Sequence, residues 1–209
     1  MLDSKCKICR RAGEKLFLKG EKCYSAKCTL SKKPYPPGLL QSERKHRSNL
    51  TDYGRQMKEK QKARNTYGLR ERQFSGYVAE AMERTGSPTE LLYTFLESRL
   101  DNTVFRSGFT LSRSLARQMV SHGHITINGR KMDIPSYRVK KGDVIGVREG
   151  SKGSPLFAEL SGKLEKHTAP TWIALDAKKS QATIVGVPAV VEATDAGLDL
   201  QAVIGYYSR

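Results

Sequence analysis

Acidic residues are scarce, long apolar runs are missing, and cysteine is absent beyond position 28. Each shortage excludes something. Aspartate and glutamate together number 21 against 37 lysines and arginines, a formal charge of +16 over 209 residues. Uncompensated charge of that size repels itself in a folded chain and favours a polyanionic partner, nucleic acid first among them. Hydrophobic residues make up 38% and fall in short, broken runs. None approaches the roughly 20 apolar residues that cross a bilayer, so no membrane partner is expected. Met1 to Leu18 has no apolar h-region, and the cytoplasm is the expected compartment. In a reducing compartment, four cysteines confined to the first 28 residues argue for metal rather than disulfides. Motifs of catalysis are also missing. There is no glycine-rich phosphate loop, no Ser/His/Asp set, and no H-x-E with C-x-x-C deaminase arrangement. No catalytic residue is assigned and no enzyme is expected.

What is present begins with Cys6-Lys-Ile-Cys9 and Cys23-Tyr-Ser-Ala-Lys-Cys28. Four soft thiolates in two short knuckles match a tetrahedral zinc site, with an iron–sulfur cluster as the alternative. Lys5, Lys7, Arg10, Arg11, Lys22 and Lys27 flank them and should lower the thiol pKa values. The segment is too poor in apolar residues to fold unaided. Ser31 to Asn49 is a Pro-rich basic linker carrying Tyr35 and Arg44-Lys45-His46-Arg47, suited to ordering on RNA.

Asp52 to Asn65 predicts a polar helix with Arg55, Lys58, Lys62 and Arg64 as its cationic face, ended by Gly68. Arg70 and Arg72 extend the basic run. Glu71 to Arg84 predicts an amphipathic helix with Phe74, Tyr77, Val78, Ala81 and Met82 inward. Ser87-Pro88-Thr89-Glu90 is a capping box that launches the next helix.

The organising stretch runs from Leu96 to Val147. Leu92, Leu96, Leu100 and Val104 recur every four residues and predict one helical stripe stopped by Gly108. Ser112 caps a second helix with Leu111, Leu115, Ala116, Met119 and Val120 on one side and Arg113 and Arg117 on the other. Gly123 ends it. Ile125-Thr126-Ile127 alternates as a strand, and Asn128-Gly129 supplies a tight hairpin turn beside Arg130 and Lys131. Pro135 to Val139 and Val144 to Val147 predict further strands, with Lys141-Gly142-Asp143 as a turn. Beyond a Gly/Ser/Lys loop, Pro155 to Lys166 predicts a helix with Leu156, Leu160 and Leu164 on its stripe. Trp172 to Leu175 and Ala182 to Val185 predict strands, Val190 to Asp199 a loop, and the type of Leu200 to Arg209 is ambiguous.

Arg99-Leu100-Asp101, Ser112-Arg113, Ala116-Arg117, His122-Gly123-His124-Ile125, Asn128-Gly129, Pro135 to Val139 and Gly142-Asp143 together resemble the alpha-L RNA-binding motif. That motif also occurs on pseudouridine synthases, a tyrosyl-tRNA synthetase and a heat-shock RNA binder. The cysteine pairs, the Tyr35-Pro36-Pro37-Gly38 segment, Lys60 to Phe74 and the terminal Tyr207-Ser208-Arg209 narrow the resemblance. They match the bacterial small-subunit ribosomal protein family number four, in its cysteine-bearing zinc-type form.

The resemblance implies an α+β, multi-domain chain: a four-cysteine metal-binding segment and linker over 1–45, a discontinuous helical domain over 46–95 plus about 168–209, and an inserted alpha-L domain over 96–167. It implies a structural protein that binds 16S rRNA, nucleates subunit assembly and contributes to translational accuracy. Its implied neighbours are ribosomal proteins three and five, where mRNA enters the subunit. The alternative is an RNA-modifying enzyme or an RNA-binding regulator with an appended motif. Only about sixty residues follow Val147, too few for a catalytic domain. Arg99, Arg113, Arg117, Lys131, Arg138 and Lys140 are expected on phosphates, where arginine can bind bidentately. His122, His124, Asn128, Ser136 and Tyr137 are expected at backbone, sugar or base.

Overall fold

The computed structural model describes residues 5–38, 50–157, 160–189 and 197–209. Arg44, Lys45 and Arg47, and most of the expected loop from Val190 to Asp199, lie outside the described residues. The chain forms two units, one from Met1–Thr89 with Thr194–Arg209, the other from Glu90–Ala193.

In the first unit, three short helices, α1 (Lys5–Ala12), α2 (Glu21–Tyr24) and α3 (Thr29–Lys32), carry or flank the cysteines. Leu16 and Leu18 bury with Cys9 in a small core. Arg10 ties the linker down: its Nε donates to the Tyr35 carbonyl at 2.8 Å and its guanidinium lies 4.7 Å over the Tyr35 ring. Next come α4 (Asp52–Thr66) and α5 (Glu71–Glu83). The Thr51 hydroxyl accepts from the Gly54 amide and caps α4, and Gly68, at φ +63°, turns the chain out of it. On α5, Phe74, Tyr77, Val78 and Ala81 are buried as predicted. Met82 is exposed instead, because it falls past the edge of that stripe.

The ambiguous tail is a helix, α10 (Leu200–Tyr207), capped by the Asp199 carboxylate, which accepts from the Ala202 amide at 2.9 Å. It packs on α4 and α5 through side chains that periodicity does not reveal. The Tyr207 hydroxyl donates to Glu71 at 2.6 Å, Lys60 Nζ reaches the same carboxylate at 2.7 Å, and Lys60 also sits 4.8 Å over the Tyr206 ring.

The second unit opens with α6 (Pro88–Glu97), α7 (Leu100–Arg106) and α8 (Arg113–Ser121). The predicted stripe is real, and Leu92, Leu96, Leu100 and Val104 are all fully buried. It does not lie on one helix. At Ser98-Arg99 the chain leaves the helical path, and Arg99 forms a β-bridge with Arg138. The Leu100 amide donates to the Tyr137 carbonyl and the Val139 amide to the Ser98 carbonyl, both at 2.8 Å. Pro135 to Val139 is therefore a bridging segment rather than the predicted strand. Its backbone partners are the α6–α7 break.

The five-stranded antiparallel sheet runs β2-β1-β3-β5-β4, with β1 (Ile125–Ile127), β2 (Arg130–Lys131), β3 (Val144–Val147), β4 (Ile173–Asp176) and β5 (Gln181–Ile184). Asn128 and Gly129, at φ +51° and +80°, make the hairpin turn. β4 and β5 thus complete the sheet that holds β1 to β3, so the expected boundary near 168 does not separate them. The predicted helix over Pro155 to Lys166 is a 3-10 turn, Pro155–Phe157, and then α9 (Leu160–Glu165). Phe157 is buried in place of the exposed Leu156, and Leu160 and Leu164 are buried as expected. Leu111, expected inward, precedes α8 and is exposed. The sheet's inner face, α7 and α8 close around Leu100, Met119, Ile125, Ile145, Trp172 and Ala182.

Burial pushes the Glu71 carboxyl up, but hydrogen bonds from Lys60 and Tyr207 and the charges of Lys60 and Arg64 outweigh it, and the net shift is downward. A carboxyl lowered on folding adds stability that is present above its unfolded pKa, about 4.3, and lost as pH falls through the folded value. Glu71→Gln is therefore expected to flatten the acid limb of thermal midpoint against pH, followed by circular dichroism, while changing little of its shape above about pH 6.

Candidate nucleic-acid interface

Two carboxylates lie buried where α6, α7 and α8 meet. Glu97 is 0% exposed and Asp101 3%. Glu97 accepts from Arg106 Nε at 2.7 Å, Arg106 Nη2 at 3.0 Å and Asn102 Nδ2 at 2.9 Å. Arg113 Nη2 stands 3.9 Å from the same carboxylate, and Arg113 Nε donates to Asn102 Oδ1 at 2.7 Å. Asp101 accepts from Arg99 Nε at 3.1 Å and Nη2 at 2.9 Å, from Arg117 Nε at 2.9 Å and Nη2 at 2.6 Å, and from the Asn102 amide at 2.9 Å. Four guanidiniums surround two carboxylates, so the cluster keeps net positive charge after every carboxylate is paired. An unpaired buried carboxylate would be costly, and this geometry satisfies both acids.

Several of the expected phosphate ligands belong to this cluster. Arg99 is 1% exposed and bound to Asp101. The Arg113 side chain is 13% exposed, stacked 4.5 Å over Phe105. Arg117 keeps 34% of its side chain exposed and is the member of the pair on α8 that reaches the surface. Lys62, expected on RNA, is buried: its Nζ reaches Glu14 at 2.6 Å and the Gly197 carbonyl at 2.8 Å. Arg64 is half-buried beside Glu71, at 3.3 Å. Asn128 holds the neighbouring loop, its Nδ2 donating to Asp143 and its Oδ1 accepting from the Val144 amide. Tyr137 packs against the core and Ser136 is half-buried. Arg138 lies 4.4 Å over the Phe95 ring. The His124 ring nitrogen Nδ1 is 3.0 Å from the Ser151 hydroxyl, and His122 is exposed.

An outward cationic face remains. Lys131 is 51% exposed by side chain, and Arg130, Lys140 and Lys141 are exposed. Gly123 brings this face together: a Cβ there would collide with Lys131 Cε, so the lysine crosses the bare backbone at the end of α8. In the stretch 111–148 the acids are Asp133 and Asp143, and both already face a cation or a donor in their own turn. In the first unit, Arg55, Lys58, Arg70 and Arg72 are exposed or half-buried at the surface. Sequence reasoning missed Glu97, Asp101 and Asn102. The signal was there: two acids four residues apart inside an otherwise basic stretch.

Cys9, Cys23 and Cys28 are buried and Cys6 is half-buried. At Cys9 burial raises the thiol pKa above the pull of the Leu16 amide, and the other three cysteines add to the rise. That is opposite to the direction expected from basic neighbours. At Cys28 the Ser31 amide leads the lowering, against burial, with help from the Leu30 amide. The donor chemistry fits a four-thiolate ion. The separations do not close a site, since among the described residues no three Cys, His, Asp or Glu stand together closely enough to hold a metal.

A small helical module packed on an antiparallel sheet, with an outward basic face, is the kind of protein that suits a polyanion such as RNA. Residues 98–145 match the family model described as S4 domain, and residues 1–97 that of the ribosomal protein S4/S9 N-terminal domain. Similar curated proteins are each named small ribosomal subunit protein uS4. That of Thermotoga petrophila is 43% identical over 98% of this chain and 96% of its own, and that of Syntrophomonas wolfei 45% over 99% and 98%. That of Desulfitobacterium hafniense is 48% identical over 88% and 86%. The chain belongs to the uS4 family of small-subunit ribosomal proteins, which are structural proteins and not enzymes. No described helix is long and apolar enough to cross a membrane.

Removing one partner from a buried pair leaves an uncompensated charge and costs about 3–5 kcal/mol. Glu97→Ala is expected to destabilise by that order in urea unfolding. Arg117→Ala, at a third-exposed side chain, is expected to cost less than half as much.

Proposed function

We propose that this protein is a structural component of the small ribosomal subunit, bound to 16S rRNA on cytoplasmic ribosomes. One observation carries the reading: the cationic surplus left on α8 and the β1–β2 hairpin after Glu97 and Asp101 are neutralised. A-form RNA hides its base edges in a deep groove, so a rigid basic face reads it by backbone and shape. Lys131, Arg130, Lys140 and Arg117 are assigned to phosphates. Arg55, Lys58, Arg70 and Arg72 on the first unit, with the linker residues Arg44, Lys45 and Arg47, are assigned to further RNA. A protein that binds only the folded arrangement of several RNA helices stabilises that arrangement by mass action. Nucleation of assembly follows from this, as does an influence on decoding accuracy through the subunit's shape. Ribosomal proteins three and five are the proposed neighbours, on family resemblance alone.

The cysteine-bearing head is proposed to hold zinc through Cys6, Cys9, Cys23 and Cys28, with an iron–sulfur cluster as the alternative. Four cysteines within the first 28 residues and amides aimed at the Cys9 and Cys28 sulfurs support it. When bound, the ion would supply folding free energy to a segment with few apolar side chains. Elemental analysis of protein purified without chelators is expected to give about one zinc per chain. Iron with visible absorbance would favour the cluster, and neither metal would remove the proposal.

Exposed lysines make the cleaner RNA test, because reversing Arg113 or Arg117 also strikes the buried carboxylates. Lys131→Glu with Lys140→Glu is expected to leave the thermal midpoint unchanged and to weaken binding to a 16S rRNA transcript. The log–log salt slope should fall by about 0.7–0.9 for each phosphate that is no longer neutralised. Unaltered affinity and slope in filter binding would take the hairpin off the RNA surface.

A further inference from the structure

We propose that Asp101 is a positioning residue for RNA binding: its carboxylate holds the Arg117 guanidinium by one edge and fixes the direction in which that arginine meets a phosphate. The inference rests on the function proposed above and adds a residue of the wrong charge to the RNA site. An acid beside a polyanion weakens binding by simple Coulomb repulsion. Asp101 nevertheless sits where it grips the exposed arginine of α8.

Three observations support the assignment. Arg117 presents Nε and Nη2, the side edge of its planar fork, to a single oxygen, Asp101 Oδ2, at 2.9 and 2.6 Å. That geometry fixes both the plane and the axial direction of the group. A lysine ammonium could not be oriented this way, because it is a point charge with rotatable donors. Second, Asp101 is itself immobilised. It is 3% exposed, its Oδ1 accepts from the Asn102 amide, and Arg99 grips both its oxygens from the buried side. Third, the two arginines one turn apart on α8 have different surroundings. Arg113 is stacked on Phe105 and mostly covered, whereas Arg117 keeps a third of its side chain in solvent. The carboxylate thus aims the one that reaches out. A guanidinium held in advance loses less rotamer entropy on binding, and this raises affinity without a new interaction.

The test uses the full chain with a 16S rRNA transcript, with affinity measured against salt and folding followed by thermal unfolding. Asp101→Asn removes one negative charge, so charge alone predicts tighter binding. Positioning predicts the opposite sign, a loss of about tenfold, equivalent to about 1.4 kcal/mol. In an Arg117→Ala background the same substitution is expected to lose that effect and show only the charge gain. Arg117→Lys leaves Asp101 and Arg99 in place and guards against a folding defect in the aspartate variant. It keeps the charge, so the salt slope should match wild type while affinity falls about tenfold. Equal affinity of Arg117→Lys and wild type, or tighter binding by a folded Asp101→Asn, overturns the positioning role and leaves rRNA binding standing. Wild-type protein that binds the transcript without steep salt dependence overturns both readings.

Discussion

Two buried carboxylates govern the second unit. Glu97 and Asp101 are buried, such a carboxylate is costly unless cations and donors satisfy it, and the cations come from separate elements. Arg99 comes from the break between α6 and α7, Arg106 from α7, and Arg113 and Arg117 from α8. Satisfying the acids therefore sets how the three helices meet. The same arrangement leaves more guanidinium than carboxylate. Stability and the outward cationic surplus are consequences of one cluster, with Arg99 and Arg106 turned inward and Arg117 partly outward.

The first unit applies the same physics to lysine. Lys60 and Lys62 project from a helix with little apolar surface, yet both are buried. Lys60 joins α4 to Glu71 and the tyrosines of α10, and Lys62 joins α4 to Glu14 and the carbonyl of Gly197. Residues distant in sequence are thus tied by ion pairs and cation–π interactions beside buried apolar side chains such as Phe74, Val78, Leu200 and Val203. A strongly basic protein has cations in excess, and those that are buried act as internal ties. The exposed remainder lies on α8, on the hairpin and along α4.

Much of this was legible in the sequence. Period-four leucines, Ser112 as a cap, Asn128-Gly129 as a hairpin and the glycine stops at Gly68, Gly108 and Gly123 are local signals, and local chemistry is sufficient to read them. The break at Arg99 was not legible, because a continuous apolar stripe is compatible with one helix or with two. It took the backbone of Pro135 to Val139, nearly forty residues on, to pull the chain out of its helical path. Leu111, Met82 and Leu156 went outward for a related reason, since a stripe's edge is set by what packs on it.

Charge could be counted from the sequence, but its direction could not. The excess of lysine and arginine pointed to a polyanionic partner, and the family pattern to a structural protein. Which cations face that partner was decided only by tertiary structure. A guanidinium's role depends on whether a carboxylate from another element lies within hydrogen-bond reach, and the pairing of Asp101 on α7 with Arg117 on α8 exists only once those helices have packed.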